Sequence, residues 1–521
     1  MHILFVTRLT EHLGIQLLSA ICKQEGHRVS HVFDPGVASA GIVPGEWLPA
    51  LLNTDAHTVD RILAEEPDVV GFNVEINTFS WTVELSQRLK ERRPELTIVV
   101  GGVHATTVPD VVLAFGCFDY LCQGEGDEAL PELLAALPDG DTTSIPNMWA
   151  RTPDGIVKNA VRPLRKELDD LPFFDKSIHY DLVPEMSHEY HTNSSRGCVY
   201  SCSFCFYQPI QQVYGSRFRN MRSPDNTCRE LEEAVAKWPT IRTVTFHDEV
   251  FTANKRWLRE FAEIWPDRVG LPFSCITHPE LVTEEVAWLL AKAGCVHVIM
   301  GTQTVNQHTR AEILDRTETP DDVRRAVKSL KAHGIWVVVD HILGIPGETE
   351  KDQEDALRFY AECKPDVVKA FFLTYLPGTD INKLGLESGE WTLEQLKEAE
   401  RGHIDSWLFK GVGDIRQWRA YYQLFTLFTV IPPELMDFLV RTKLHRAMKV
   451  LDPVFLPSIF LAPRVLKSLL GGEEEQPRSY VNYLKGLTRY TAEARFGKGS
   501  VPDRAARRLL RPSSRFREWW A

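Results

Sequence analysis

No run in this 521-residue chain approaches the ~20 uninterrupted apolar residues that a transmembrane helix needs. The opening residues 1–7 lack the basic, apolar and small-residue succession of a secretory signal. They read instead as a first β-strand, so a cytoplasmic location is expected. Low-complexity tracts and repeats of solenoid period are missing, which argues against fibrous or array architectures. Cysteine is sparse, and seven of the ten stand apart with no ligand-like spacing. In a reducing compartment such a set is not a disulfide framework. What is present is ordinary for a soluble globular protein, with 44% apolar and 25% charged residues. The length implies two or three domains.

The net charge of -12 hides an asymmetry, because residues 441–521 hold seventeen Lys or Arg against seven Asp or Glu. A basic tail on an acidic body predicts an acidic surface as partner. Residues 421–431 and 454–462 are apolar but too short to span a bilayer, which predicts an interfacial region resting on anionic lipid and a correspondingly lipid-like substrate. The competing reading places Tyr421, Phe425 and Phe428 in the core and Arg507, Arg508 and Arg511 on a solvated helix. The basic residues are scattered and no recognition motif accompanies them, so no nucleic-acid partner is expected.

Along the chain, short apolar runs alternate with helical patterns, which predicts an α/β protein. Strands are expected at residues 2–7, 27–33, 68–73, 97–101 and 118–122, giving a doubly wound domain over 1–144 with its ligand beyond the carboxyl ends of the strands. Residues 145–190, with Pro163, Pro172 and acidic Glu167, Asp169 and Asp170, read as a linker. A second series of strands, at 191–196, 242–247, 273–277, 296–301, 336–343 and 367–374, predicts a partial (β/α)6 barrel over 191–390. Residues 391–521 are helical in pattern.

One cluster of residues carries distinctive chemistry. Cys198, Cys202 and Cys205 lie within eight residues, directly after a predicted strand. Three thiolates on one loop fit one corner of an iron-sulfur cubane, whose usual four cysteines would here leave one iron open. The alternatives are a zinc site, for which His191 is the nearest additional donor, or three buried thiols. The spacing Cys-x3-Cys-x2-Cys, with Phe204 before the last cysteine, resembles the signature of the radical S-adenosylmethionine (SAM) superfamily. That resemblance implies a four-iron, four-sulfur cluster whose open iron is chelated by SAM and which cleaves it to a 5′-deoxyadenosyl radical. It also implies an electron donor such as flavodoxin or ferredoxin. Further segments follow in the family's order. Asp248 or Glu249 stands where relatives contact the SAM amino group, and Gln303 stands where they often carry Glu. Arg316 lies in a Leu-Asp-Arg segment near SAM, and Gly344 opens the turn that packs against adenine.

The first domain resembles the cobalamin-binding domains that precede radical SAM barrels. The matching pieces are Leu13 and Gly14 opening the first helix, Gly101 and Gly102 closing the fourth strand, Thr106 as a donor to the nucleotide tail, and Gly124 in a Gly-Glu-Gly turn. The resemblance implies a cobalamin-binding-type Rossmann domain ahead of a radical SAM barrel, as in the class B methylases and the anaerobic cyclase. The Asp-x-His-x-x-Gly pattern of a histidine below cobalt is absent around His12, so no lower axial ligand is expected there. The implied activity is methylation of an unactivated carbon. The alternatives are ring or bond formation without methyl transfer, and a radical enzyme whose cobalamin domain is degenerate. A carrier or sensor without radical chemistry would have no need of the cysteine triplet.

Overall fold

A computed structural model describes residues 1–36, 54–402, 418–428, 431–446 and 488–492. Strands β1 (His2–Arg8), β2 (Arg28–Asp34), β3 (Val69–Asn73), β4 (Thr97–Gly101) and β5 (Tyr120–Cys122) form a parallel sheet in the order 2-1-3-4-5. The run Ile3-Leu4-Phe5-Val6 is at most 2% exposed, as a strand covered by helices on both faces requires. The order reverses at β1, and that switch point is where such sheets open a crevice.

Residues 145–190, expected as a linker, are in part integral to this sheet. Strands β6 (Met148–Thr152) and β7 (Gly155–Val157) form a hairpin whose first strand pairs antiparallel with β5. The apolar residues Met148, Trp149 and Ala150 find their burial there.

The second sheet is parallel throughout and runs in sequence order: β8 (Glu189–Thr192), β11 (Thr243–Phe246), β12 (Phe273–Thr277), β13 (Cys295–Gln303), β14 (Trp336–Leu343) and β15 (Val367–Phe372). Strand alternation sorts the side chains. Val244, Phe246, Phe273, Val298, Val337, Val339, Val368 and Phe372 share one core with Trp257, Phe261 and Trp265 of the helix Lys255–Arg268. Their neighbours Thr245, Ser274, Ile299, Asp340 and Lys369 face the other way.

The first strand of this series stops earlier than the pattern at 191–196 predicts. Asp248 accepts hydrogen bonds from the Ser194 amide at 2.9 Å and the Ser194 hydroxyl at 2.8 Å, and also from the Ser195 hydroxyl. The chain is thereby turned away. Two short strands, β9 (Ser195–Arg196) and β10 (Asn220–Met221), then pair as a separate ribbon.

In the carboxyl-terminal region the described residues include helices Leu393–Glu400, Arg419–Leu427 and Pro433–Arg441. Tyr421, Leu424 and Phe425 are fully buried in the barrel core, which corrects the interfacial reading of residues 421–431. Residues 454–462 and Arg507, Arg508 and Arg511 lie outside the described residues. Among the described residues no helix is long and apolar enough to cross a membrane.

Candidate functional site

Cys198, Cys202 and Cys205 follow β9 on a loop fixed from several sides. Gln211 donates to the carbonyls of Cys198 and Tyr200, both at 2.9 Å, while the Ser203 amide reaches Leu314 at 3.1 Å. At Gly197, φ is 92° and a Cβ would strike the Phe218 carbonyl, so only glycine fits. All three thiols are free. Burial pushes Cys198 up to about 11 and raises Cys205 further; it also raises Cys202, against the pull of the Arg316 guanidinium. Such thiols stay protonated unless a metal takes the proton's place.

The donor set suits a cubane better than a single ion. Among the described residues no three His, Cys, Asp or Glu side chains converge at single-ion spacing. A cubane, with one thiolate on each of three irons, holds its sulfurs further apart than one ion does. His191, the donor weighed for zinc, is engaged elsewhere, with Nδ1 2.7 Å from His247 Nε2 and Nε2 3.7 Å from Glu11.

The residues expected around SAM divide into two groups. Asp248 is 1% exposed and fully occupied by Ser194 and Ser195, so its role here is to end β8. Its neighbour Glu249 lies beside Cys198 and Cys205, and burial, reinforced by the Asp248 charge, raises its pKa to about 7. A cationic amino group arriving there would restore the carboxylate. Gln303 closes β13 at φ 61°, after a register shift against β14, with its amide over Gly301. Arg316 is buried and reaches Cys202 Sγ at 3.6 Å. Gly344 (φ 81°) and Gly347 (φ 80°) shape the turn after β14. Glu348 closes that turn, accepting from the Ile345 amide at 3.1 Å, and the Trp418 indole covers Gly344.

Glu249 gives a pH prediction. Its raised folded-state pKa means that the metal-free fold holds a proton the unfolded chain releases near 4.5, so this contribution to stability falls as pH rises from about 4.5 to 7. Glu249→Gln is expected to melt above the parent at pH 8 and level with it at pH 4.5, measured by calorimetry on cluster-free protein.

At the carboxyl ends of the first sheet lies a cavity of about 400 Å³, within the range of small-molecule sites. Leu13 and Gly14 border it, as do Gly101, Gly102, Thr106 and Gly124, so the residues expected for cobalamin gather in one place. Thr106 has a different task from the one expected. Its hydroxyl donates to the Gly102 carbonyl at 2.8 Å and accepts from the Gly124 amide at 3.0 Å, tying the turns after β4 and β5 together. His12 also lines the cavity, with Nε2 2.6 Å from Asn73 Nδ2.

The opposite wall comes from the barrel, and the sequence motifs do not mark it. Arg196, Gly197, Tyr207, Ile210, Tyr214 and Phe218 flank or follow the cysteines and face the same cavity. Arg196 pairs with Asp127 at 2.6 Å and Glu125 at 3.2 Å, and the Tyr214 hydroxyl accepts from the Glu125 amide at 2.9 Å. The acidic positions of the segment 123–128 were the available signal: next to an arginine preceding the cysteines, they announce a clamp between the two domains.

Residues 192–360 match the radical SAM superfamily and residues 6–134 match the B12-binding domain. The chain is 25% identical over 323 residues to an uncharacterized methyltransferase of Pyrococcus horikoshii, covering 60% of this chain and 68% of that one. It is 26% identical over 337 residues to the anaerobic magnesium-protoporphyrin IX monomethyl ester cyclase of Rubrivivax gelatinosus, covering 62% of this chain and 59% of the relative. In fold it resembles the radical SAM methyltransferase TsrM of Kitasatospora setae, with a TM-score of 0.59 at 20% identity over 73% of this chain and 74% of that one. With both domains matched in order, this chain belongs to the radical SAM enzymes that carry a B12-binding domain.

Proposed function

We propose that this enzyme methylates an unactivated carbon of a small, largely apolar molecule, using SAM, cobalamin and a four-iron, four-sulfur cluster held by Cys198, Cys202 and Cys205. The observation that carries this reading is the shared segment 196–222, which bears the three cysteines and also forms one wall of the cavity at the ends of β1, β3, β4 and β5. When bound, the cluster with SAM supplies a 5′-deoxyadenosyl radical and cobalamin supplies a methyl group. The chain's own residues position these groups and keep water out. Glu249 offers a half-buried carboxyl to a cationic amino group, and the Arg196–Asp127 pair holds the cysteine loop against the first domain. On the inner face of the second sheet Ile276, Ile299, Val338, Ile342 and Phe371 offer apolar surface between the polar side chains of Thr245, Ser274, Asp340 and Lys369.

The test is anaerobic reconstitution with iron, sulfide and hydroxocobalamin, followed by a low-potential reductant and SAM carrying a deuterated methyl group. The products are searched for 5′-deoxyadenosine and for compounds that gain the label. Ring or bond formation is the second reading, favoured by the likeness to the cyclase; a modified product without the label would select it. No 5′-deoxyadenosine under any donor, flavodoxin and ferredoxin included, would overturn both.

His12 is expected to stay off the cobalt because Asn73 occupies its Nε2. His12→Ala should leave the optical spectrum of bound cobalamin unchanged, and a spectral shift would show ligation. Peripheral contact with an anionic membrane rests on the +10 balance of residues 441–521. Sedimentation with anionic liposomes that weakens in salt, and that is lost on deleting 441–521, is the expected result.

A further inference from the structure

The guanidinium of Arg316 is locked in place at three atoms. Nε donates to Glu318 at 2.7 Å, Nη2 to the Gly301 carbonyl at 2.6 Å, and Nη1 points at Cys202 Sγ at 3.6 Å. Its side chain is 6% exposed and that of Glu318 is 0% exposed. Arg310, also buried, lies 3.6 Å from Glu318, and His278 approaches the same carboxylate at 3.3 Å. The Tyr200 ring, two residues after Cys198, stacks on His278 with centroids 4.0 Å apart and planes at 17°, closing this side of the cysteine loop.

The charges in this network do not cancel. Two guanidiniums face one carboxylate, and desolvation lowers the pKa of the His278 ring. Among the buried groups one positive charge is therefore in excess behind Cys202, the balancing Glu280 carboxylate beyond His278 being 43% exposed, and Arg316 Nη1 points at the sulfur. Three thiolates on a four-iron cluster make a negative group that becomes more negative on reduction. A fixed cation in a dry setting favours the reduced form, and a hydrogen bond to the ligand sulfur acts in the same direction.

We propose that Arg316 is a positioning residue for cluster reduction: its fixed guanidinium, supported by Glu318, raises the reduction potential of the cluster on Cys198, Cys202 and Cys205 and brings it within reach of the electron donor. The proposal rests on the cluster reading above. It assigns to Arg316 a contact with a cluster ligand, distinct from the SAM contact implied by the sequence resemblance. Three of the five Arg316 donors are committed, to Glu318, Gly301 and Cys202.

The experiment is an anaerobic redox titration of the reconstituted full chain without SAM, followed by electron paramagnetic resonance of the reduced cluster. Arg316→Gln is expected to reduce at a more negative potential than the parent. Arg316→Lys should fall between them, since lysine keeps the charge but loses the planar fork that reaches three partners at once. Iron and sulfide content is measured in parallel. A potential for Arg316→Gln equal to or less negative than the parent's, at full cluster content, overturns the proposal. So does failure of both variants to take up a cluster that the parent assembles, because Arg316 would then be needed for assembly. A parent chain that assembles no cluster overturns the functional reading itself.

Discussion

Alanine at any one of Cys198, Cys202 or Cys205 is expected to abolish cluster uptake and 5′-deoxyadenosine formation together, a loss of at least three orders of magnitude in turnover. Among the described residues no further His, Cys, Asp or Glu completes a ligand set with these cysteines. The His191 ring already sits between His247 and Glu11, and no other cysteine shares the loop. With SAM taking the open iron, two thiolates remain for three irons. The fold should survive, since the loop is held by Gln211, Ser203 and Gly197 through backbone contacts that alanine leaves alone. Cys117→Ala, in the core of the first domain, is the matched control and should keep a full cluster. Iron content, the absorbance of the reconstituted protein and product formation are the readouts. Full SAM cleavage by any of the three variants would remove the assignment.

Most of the scaffold is legible in the sequence because the chain obeys local rules there. Strands at 97–101, 273–277 and 336–343 have the same bounds in the pattern and in the structure, since each is a short run dominated by apolar and β-branched residues between turn residues. The differences arise where a distant residue decides. Asp248 ends β8 from 54 positions away. The hairpin of β6 and β7 lies among prolines and acidic residues that suit a linker equally well. In the site, residue types are visible in the sequence but their bonds are not. Thr106 looks like a free donor until its hydroxyl is seen bridging Gly102 and Gly124. Arg316 stands out in the sequence as an arginine of the site, but that Glu318 and Gly301 aim it at Cys202 is visible only in the structure. The wall formed by Tyr207, Tyr214 and Phe218 depends on two domains meeting, which no local pattern records.

Gly102→Val is expected to strip cobalamin from the purified protein while leaving the cluster in place. The backbone at Gly102 has φ 100°, a conformation costing a β-branched residue roughly 1–3 kcal/mol. A Cβ there would lie 2.5 Å from Asn73 Oδ1 and 2.9 Å from the Val74 nitrogen. Relief requires moving the turn after β4 away from the turn after β3. Both turns line the cavity, and Asn73 also holds His12. The second sheet shares none of these bonds, so iron content should match the parent, and that match separates a lost cobalamin site from a lost fold. Gly101→Ala makes the complementary test. Its Cβ meets the Cys122 side chain at 3.5 Å, an ordinary contact, so the protein's own packing tolerates the methyl group. Any fall in cobalamin affinity at Gly101 therefore reports a ligand approaching the backbone. A fall of about tenfold, or ~1.4 kcal/mol, is expected there, against a larger loss at Gly102. Measured by equilibrium binding under anaerobic conditions, undiminished affinity in both variants would place cobalamin outside this cavity.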